Sequence, residues 1–190
     1  MVRTEADALE RRVRDALDGV ADPEIPACSI TDLGMVERVS VSADAVEVDL
    51  LPTFVGCPAK DLIGRDVRSA LEEAADGRDV RVRFIHDPPW TTERITERGR
   101  ERLRGFGIAP HWDRPATVPL MTKAGVPCPY CGSDDTLLES RWGPTPCRAQ
   151  HWCRSCRNPF EGFKEKGHSS TASASWWRPA RSTSSASASG

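Results

Sequence analysis

A chain of 190 residues with 26 Lys/Arg against 28 Asp/Glu suits one medium domain or two small ones. Its near balance of charge and 38% hydrophobic content exclude general disorder and a nucleic-acid-coating protein, and no apolar run reaches membrane-spanning length. The charge is uneven, with 16 Lys/Arg and 23 Asp/Glu in residues 1–113 but 10 and 5 in residues 114–190, which points to an acidic front unit and a mildly basic back unit.

The opening Met-Val-Arg-Thr-Glu-Ala-Asp lacks the apolar core of a signal peptide, so a cytoplasmic, reducing home is expected. There, seven cysteines with two Cys-x-x-Cys pairs read as metal ligands before disulfides. Residues 4–18 carry Leu9, Val13, Ala16 and Leu17 at helical spacing, and Gly19 stops the helix. Asp22-Pro23-Glu24-Ile25-Pro26 is a stiff turn with two carboxylates, which either position a metal or are solvated turn residues. Cys28 reads as packed. Strands are expected over about 35–41 and 45–51, joined at Asp44.

The second strand runs into Pro52-Thr53-Phe54-Val55-Gly56-Cys57-Pro58. Proline favours the first helical position, which sets Cys57 at or next to the cap of a helix running to about Ala75. A helix N-terminus lowers a thiol's pKa, so Cys57 is the candidate nucleophilic or metal-binding sulphur; the competing reading is an inert packed cysteine. A third strand, Val80-Arg81-Val82-Arg83-Phe84, has its arginines on one face, matching Glu47 and Asp49 of the second strand, so cross-strand ion pairs are expected. His86 and Asp87 at its end either join Cys57 or form a hydrogen-bonded turn. Residues 91–104 read as a charged helix capped by Thr91 or Thr92, and the Pro/Gly-rich 106–125 as a linker.

Cys128-Pro-Tyr-Cys131 and Cys153-Arg-Ser-Cys156 stand 21 residues apart, room for a small hairpin around 136–142. Four thiolates in a unit too small for a core of its own point to a structural Zn2+, with rubredoxin-like iron as the other ion such a set takes. Cys147 and His151 are taken as non-ligands. Residues 165–190, serine-rich with an isolated Trp176-Trp177, read as a disordered tail.

Asp22-Pro-Glu-Ile-Pro26, Ile30-Thr-Asp-Leu-Gly-Met-Val36, Pro52-Thr53 and Gly56-Cys-Pro-Ala59 resemble the small iron–sulphur assembly domain of SufT-like proteins. Asp87-Pro-Pro-Trp-Thr-Thr92, Arg102-Leu103, Gly107-Ile108, the four ribbon cysteines and Gly143-Pro-Thr-Pro-Cys-Arg-Ala149 resemble one subgroup, the PaaD accessory proteins encoded with the ring 1,2-phenylacetyl-CoA epoxidase. The resemblance covers residues 4–164. It implies an α+β chain: an assembly domain (1–105) with a three-stranded sheet and flanking helices, the linker 106–125, a zinc ribbon (126–164) and the tail 165–190.

It also implies a non-enzymatic maturation factor that delivers or inserts an iron–sulphur cluster or iron into the epoxidase. Cys57 would be the transient ligand, with Asp22 and Glu24 nearby. One thiolate cannot hold a cluster, so a homodimer, a small thiol or the client would complete the site. Epoxidase subunits and iron–sulphur assembly proteins are the implied partners; nucleic acid and membrane are not. The alternative is a non-catalytic ribbon adaptor with Cys57 structural. The chain departs from the subgroup where Phe160-Glu-Gly-Phe-Lys164 is followed by Glu165, a position that resembling chains fill with cysteine.

Overall fold

The computed structural model describes residues 5–110 and 125–164. The expected tail and most of the expected linker lie outside them.

Helix α1 (Glu5–Asp18) turns Leu9, Val13 and Leu17 inward, and α2 (Lys60–Ala74) does the same with Ile63, Val67 and Leu71. Both pack on one another and against a three-stranded sheet, burying a stripe at helical spacing. A two-stranded piece, β1 (Ala21–Asp22) and β2 (Ile25–Ser29), leads into that sheet. Its strands are β3 (Val36–Val41), β4 (Ala45–Leu50) and β5 (Asp79–Phe84), in the order β3-β4-β5. The first pair is antiparallel, and α2 carries the chain over to a parallel β5.

The register sets Glu47 opposite Arg81 and Asp49 opposite Arg83, and both ion pairs form, at 3.1 and 2.9 Å. Arg38 from β3 makes a second ion pair to Asp49 at 2.8 Å. Charge pairing expected from alternation alone is thus present on the outer face of the sheet.

The expected helix over 91–104 is divided. A 3-10 turn spans Thr92–Arg94, and helix α3 (Glu97–Gly105) starts afresh at Thr96, whose Oγ1 accepts from Gly99 N at 3.0 Å. The break lets α3 lie on the turn after β2. Gly99 permits the approach, since a Cβ there would meet the Asp32 carbonyl oxygen at 2.4 Å. Asp32, fully buried, then receives Ser29 N at 3.0 Å, Arg98 Nε at 2.5 Å and Arg102 Nη1 at 2.5 Å. Burial raises its pKa, but these donors outweigh burial and hold the carboxyl below the ordinary range.

The first residues of the expected linker are instead part of the second sheet. Ile108–Ala109 form β6, which pairs in parallel with the final strand. The ribbon strands are β7 (Thr136–Ser140), β8 (Arg148–Cys153) and β9 (Pro159–Phe163), giving the order β6-β9-β8-β7. Phe163 is 1% exposed within the core of the first unit, its ring 5.5 Å from that of Trp90. Trp90 Nε1 in turn donates to Leu33 O at 2.7 Å. No helix among the described residues is long and apolar enough to cross a membrane.

Replacing Asp32 with Ala leaves half-exposed Arg102, the Nε of Arg98 and the buried N–H of Ser29 without their acceptor, while Arg98 keeps Asp18. We expect a loss on the order of 3 kcal/mol in urea unfolding, the low end for a broken buried pair because the arginines remain half in water. A change under about 0.5 kcal/mol would show that the carboxylate does not hold α3 in place.

Candidate functional site: a four-sulphur cluster and a two-thiol pocket

The two Cys-x-x-Cys stretches fold into matching knuckle turns. Cys128 N donates to Ser133 O and Gly132 N to Cys128 O; in the second turn Cys153 N donates to Asn158 O and Arg157 N to Cys153 O. The residue after each second cysteine is left-handed, Gly132 at φ 73° and Arg157 at φ 59°, so the second turn bears strain that glycine spares the first. The ligand atoms of Cys128, Cys131, Cys153 and Cys156 lie within 4.8 Å of one another.

The Cys128–Cys156 and Cys131–Cys153 sulphur separations are both 3.6 Å. That is far beyond a disulfide bond and close to the ~3.8 Å edge of a tetrahedron with ~2.3 Å metal–sulphur bonds. Backbone N–H groups of Tyr130 and Cys131 face Cys128 Sγ, and that of Asn158 faces Cys156 Sγ. The four sulphurs therefore fit a tetrahedral metal ion, with no ligand position left over. His151 is excluded from the set. It is fully buried and stacks on Phe160 at 5.2 Å, and burial depresses its pKa to about 4, keeping it neutral.

Cys57 stands in the turn between β4 and α2, its N–H donating to Phe54 O at 3.0 Å. The N-cap is Ala59, two residues on, and α2 begins at Lys60 rather than Pro58. The expected thiolate activation is absent. Burial raises the Cys57 pKa, the charges of Cys147, Asp22 and Glu24 act in the same direction, and the Ala59 N–H only partly opposes them. The helix N-terminus supplies one donor to the sulphur, but desolvation wins.

Asp22 and Glu24 do line the pocket at Cys57, on a floor that includes Ile25, Leu33 and Phe163. Asp22 also shapes it, because its Oδ1 accepts from Glu24 N at 2.8 Å and from Ile25 N at 2.9 Å. Burial raises its carboxyl pKa. Glu24 is exposed at the rim. His86 and Asp87 are exposed outside the pocket lining, and Cys28 is buried with its Sγ 3.9 Å from Gly99 O.

The opposite wall comes from the ribbon: Thr145, Pro146 and Cys147. Sequence reasoning assigned Cys147 no role, and only the seating of Phe163 and the β7–β8 connection brings it to Cys57. Its legible signals were its place in the Gly143–Ala149 motif and its standing as one of three cysteines outside the two pairs.

Comparison with known proteins agrees with this two-part construction. Residues 10–84 match an iron–sulfur cluster assembly protein family and residues 113–164 the PaaD zinc beta ribbon domain. A PaaD protein of Escherichia coli K12, provisionally named as one of the subunits of 1,2-phenylacetyl-CoA epoxidase, is 40% identical over 149 residues, 78% of this chain and 88% of that one.

The chain belongs to the PaaD family. The Fe–S protein maturation auxiliary factor YitW of Bacillus subtilis is 31% identical over 47% of this chain and 88% of its own length. A solved domain of unknown function, DUF59, from Bacillus anthracis superposes with a TM-score of 0.48 at 27% identity, over 52% of this chain and 93% of that one.

A half-buried, unactivated Cys57 reacts slowly. We expect its carbamidomethylation by iodoacetamide at neutral pH to run below that of an unstructured cysteine peptide and to climb only as pH passes the ordinary thiol range. Faster reaction than the peptide at neutral pH would restore the activated thiolate.

Proposed function

We propose that this PaaD-family chain is a cytoplasmic, non-enzymatic maturation factor for a phenylacetyl-CoA epoxidase. In this reading it delivers or inserts an iron–sulphur cluster or iron through Cys57 and meets epoxidase subunits and iron–sulphur assembly proteins as partners. The observation that carries the proposal is the pocket at Cys57, a sulphur set among two carboxylates inside the iron–sulphur assembly match. The relative at 40% identity supplies the client class.

The raised pKa of Cys57 suits a carrier. A thiol that is protonated in the empty state binds iron by surrendering its proton, and reprotonation favours release. The ribbon's four cysteines hold one structural Zn2+ and take no part in transfer, because four thiolates leave no open position. Trp142, 75% exposed, offers the ribbon a contact surface for the client.

Metal and acid-labile sulphide of anaerobically purified protein test the transfer role. The expectation is about one zinc per chain in wild type and in Cys57→Ser, with iron, alone or with sulphide, in wild type only. Zinc alone in both, after a cluster and iron were offered, with client binding intact, would leave a scaffolding adaptor as the function.

Zinc removal tests the ribbon. A chelator that strips the metal is expected to unfold residues 125–164, read as new fast-exchanging amides in β7–β9, while α1, α2 and β3–β5 stay protected. Retained protection in the stripped ribbon would make the metal dispensable.

A further inference from the structure

Cys147 lies just before β8, outside the four-sulphur cluster, and shares its pocket with Cys57. It is held there from several sides. Its Sγ is 3.2 Å from Thr145 Oγ1, and Thr53, from the turn that carries Cys57, lines the same pocket. Its backbone carbonyl accepts from Lys164 N at 2.8 Å, and Pro146 O accepts from Lys164 Nζ at 2.7 Å. The next residue, Arg148, is buried, donating through Nε to Thr145 Oγ1 at 2.7 Å and pairing with Glu161 at 2.7 Å. A hydroxyl on the sulphur and a lysine clamp on the loop that carries it are an unusual surrounding for a cysteine that merely fills space.

We propose that Cys57 and Cys147 form a two-thiolate half-site for iron, bare or in a cluster, built across the junction of the assembly domain and the zinc ribbon. This rests on the cargo reading above and supplies the second ligand from within one chain, where a homodimer or an outside thiol was expected. As each iron–sulphur bond forms, the thiol releases its proton to solvent, and the iron keeps its oxidation state.

Arg148 and Lys164 flank Cys147 and offset the negative charge that two thiolates, Asp22 and Glu24 gather there. Among the described residues, the ribbon cysteines form the one set of three or more donor side chains whose ligand atoms all lie within 4.8 Å. Asp22 and Glu24 therefore do not close the coordination shell around the pair, and positions remain for a client's ligands. The pocket has about 20 Å³ of room, enough for a single ion, so a cluster requires the Cys57 turn and the Cys147 loop to part.

The test uses the full zinc-loaded chain, offered ferrous iron with and without sulphide under anaerobic conditions. Native alkylation by iodoacetamide is mapped cysteine by cysteine, and retained iron is measured in wild type, Cys57→Ser and Cys147→Ser. Loading is expected to slow alkylation of Cys57 and Cys147 together, by about tenfold or more, and to leave buried Cys28 unchanged. Cys147→Ser, with its one zinc intact as proof of a folded ribbon, is expected to lose iron as Cys57→Ser does. Iron held by wild type while Cys147 alkylates at its unloaded rate would overturn the half-site and leave the Cys57 reading standing. No iron in wild type at all would overturn both. The wild-type alkylation map needs no mutation, so the proposal is decided even where Cys147→Ser fails to fold.

Discussion

The burial of one side chain decides how the two units meet. Phe163 is the last residue of the ribbon's last strand, yet it is 1% exposed within the first unit's core and beside Trp90. Burying an aromatic ring of this size contributes about 1.5–3 kcal/mol, and the parallel pairing of β6 with β9 adds backbone hydrogen bonds to the same junction. With Phe163 seated, the chain one residue on is fixed too. Lys164 clamps the loop of Pro146 and Cys147, and that loop becomes the second wall of the Cys57 pocket. The zinc ribbon is thereby a structural part of the site it borders.

Inside the pocket, burial and charge compete, and burial prevails. Cys57, Cys147 and Asp22 all have raised pKa values with desolvation as the leading cause. Neutral thiols are inexpensive to bury; a pair of thiolates is costly until a cation joins them. The same trade, settled the opposite way, governs Asp32, where two guanidiniums and a backbone N–H keep a fully buried carboxylate charged. One buried acid is anchored by fixed donors and holds the fold together. In the pocket, the two backbone N–H groups on Asp22 do not outweigh its burial.

Much of the first unit was legible in the sequence because period and burial coincide. The stripes of α1 and α2, the alternation of β4 and β5 and the ion pairs Glu47–Arg81 and Asp49–Arg83 depend on neighbours one or two contacts away. The ribbon cysteines were legible because metal geometry imposes a spacing. The division of the 91–104 segment was not, since it answers to the Asp32 turn on which α3 packs, far away in sequence. Nor was the pKa of Cys57. A proline two residues before the helix suggested a start at the sulphur, while the pocket that half-buries it is lined by side chains some 35 positions before it and 90 after. Cys147 was missed for the same reason: its partner is fixed by a strand pairing, β6 with β9, that leaves no periodic mark in two residues.

That pairing also orders events in time. The first unit completes its sheet at Phe84 and its last helix at Gly105, so a chain emerging from the ribosome can fold this part while the ribbon is still being made. Strand β6 must then wait for β9, some fifty residues later, to find its partner. Until Phe163 arrives, Cys57 faces solvent without its opposite wall. A first unit folded in that order holds an open thiol and no enclosed pocket until the ribbon closes over it.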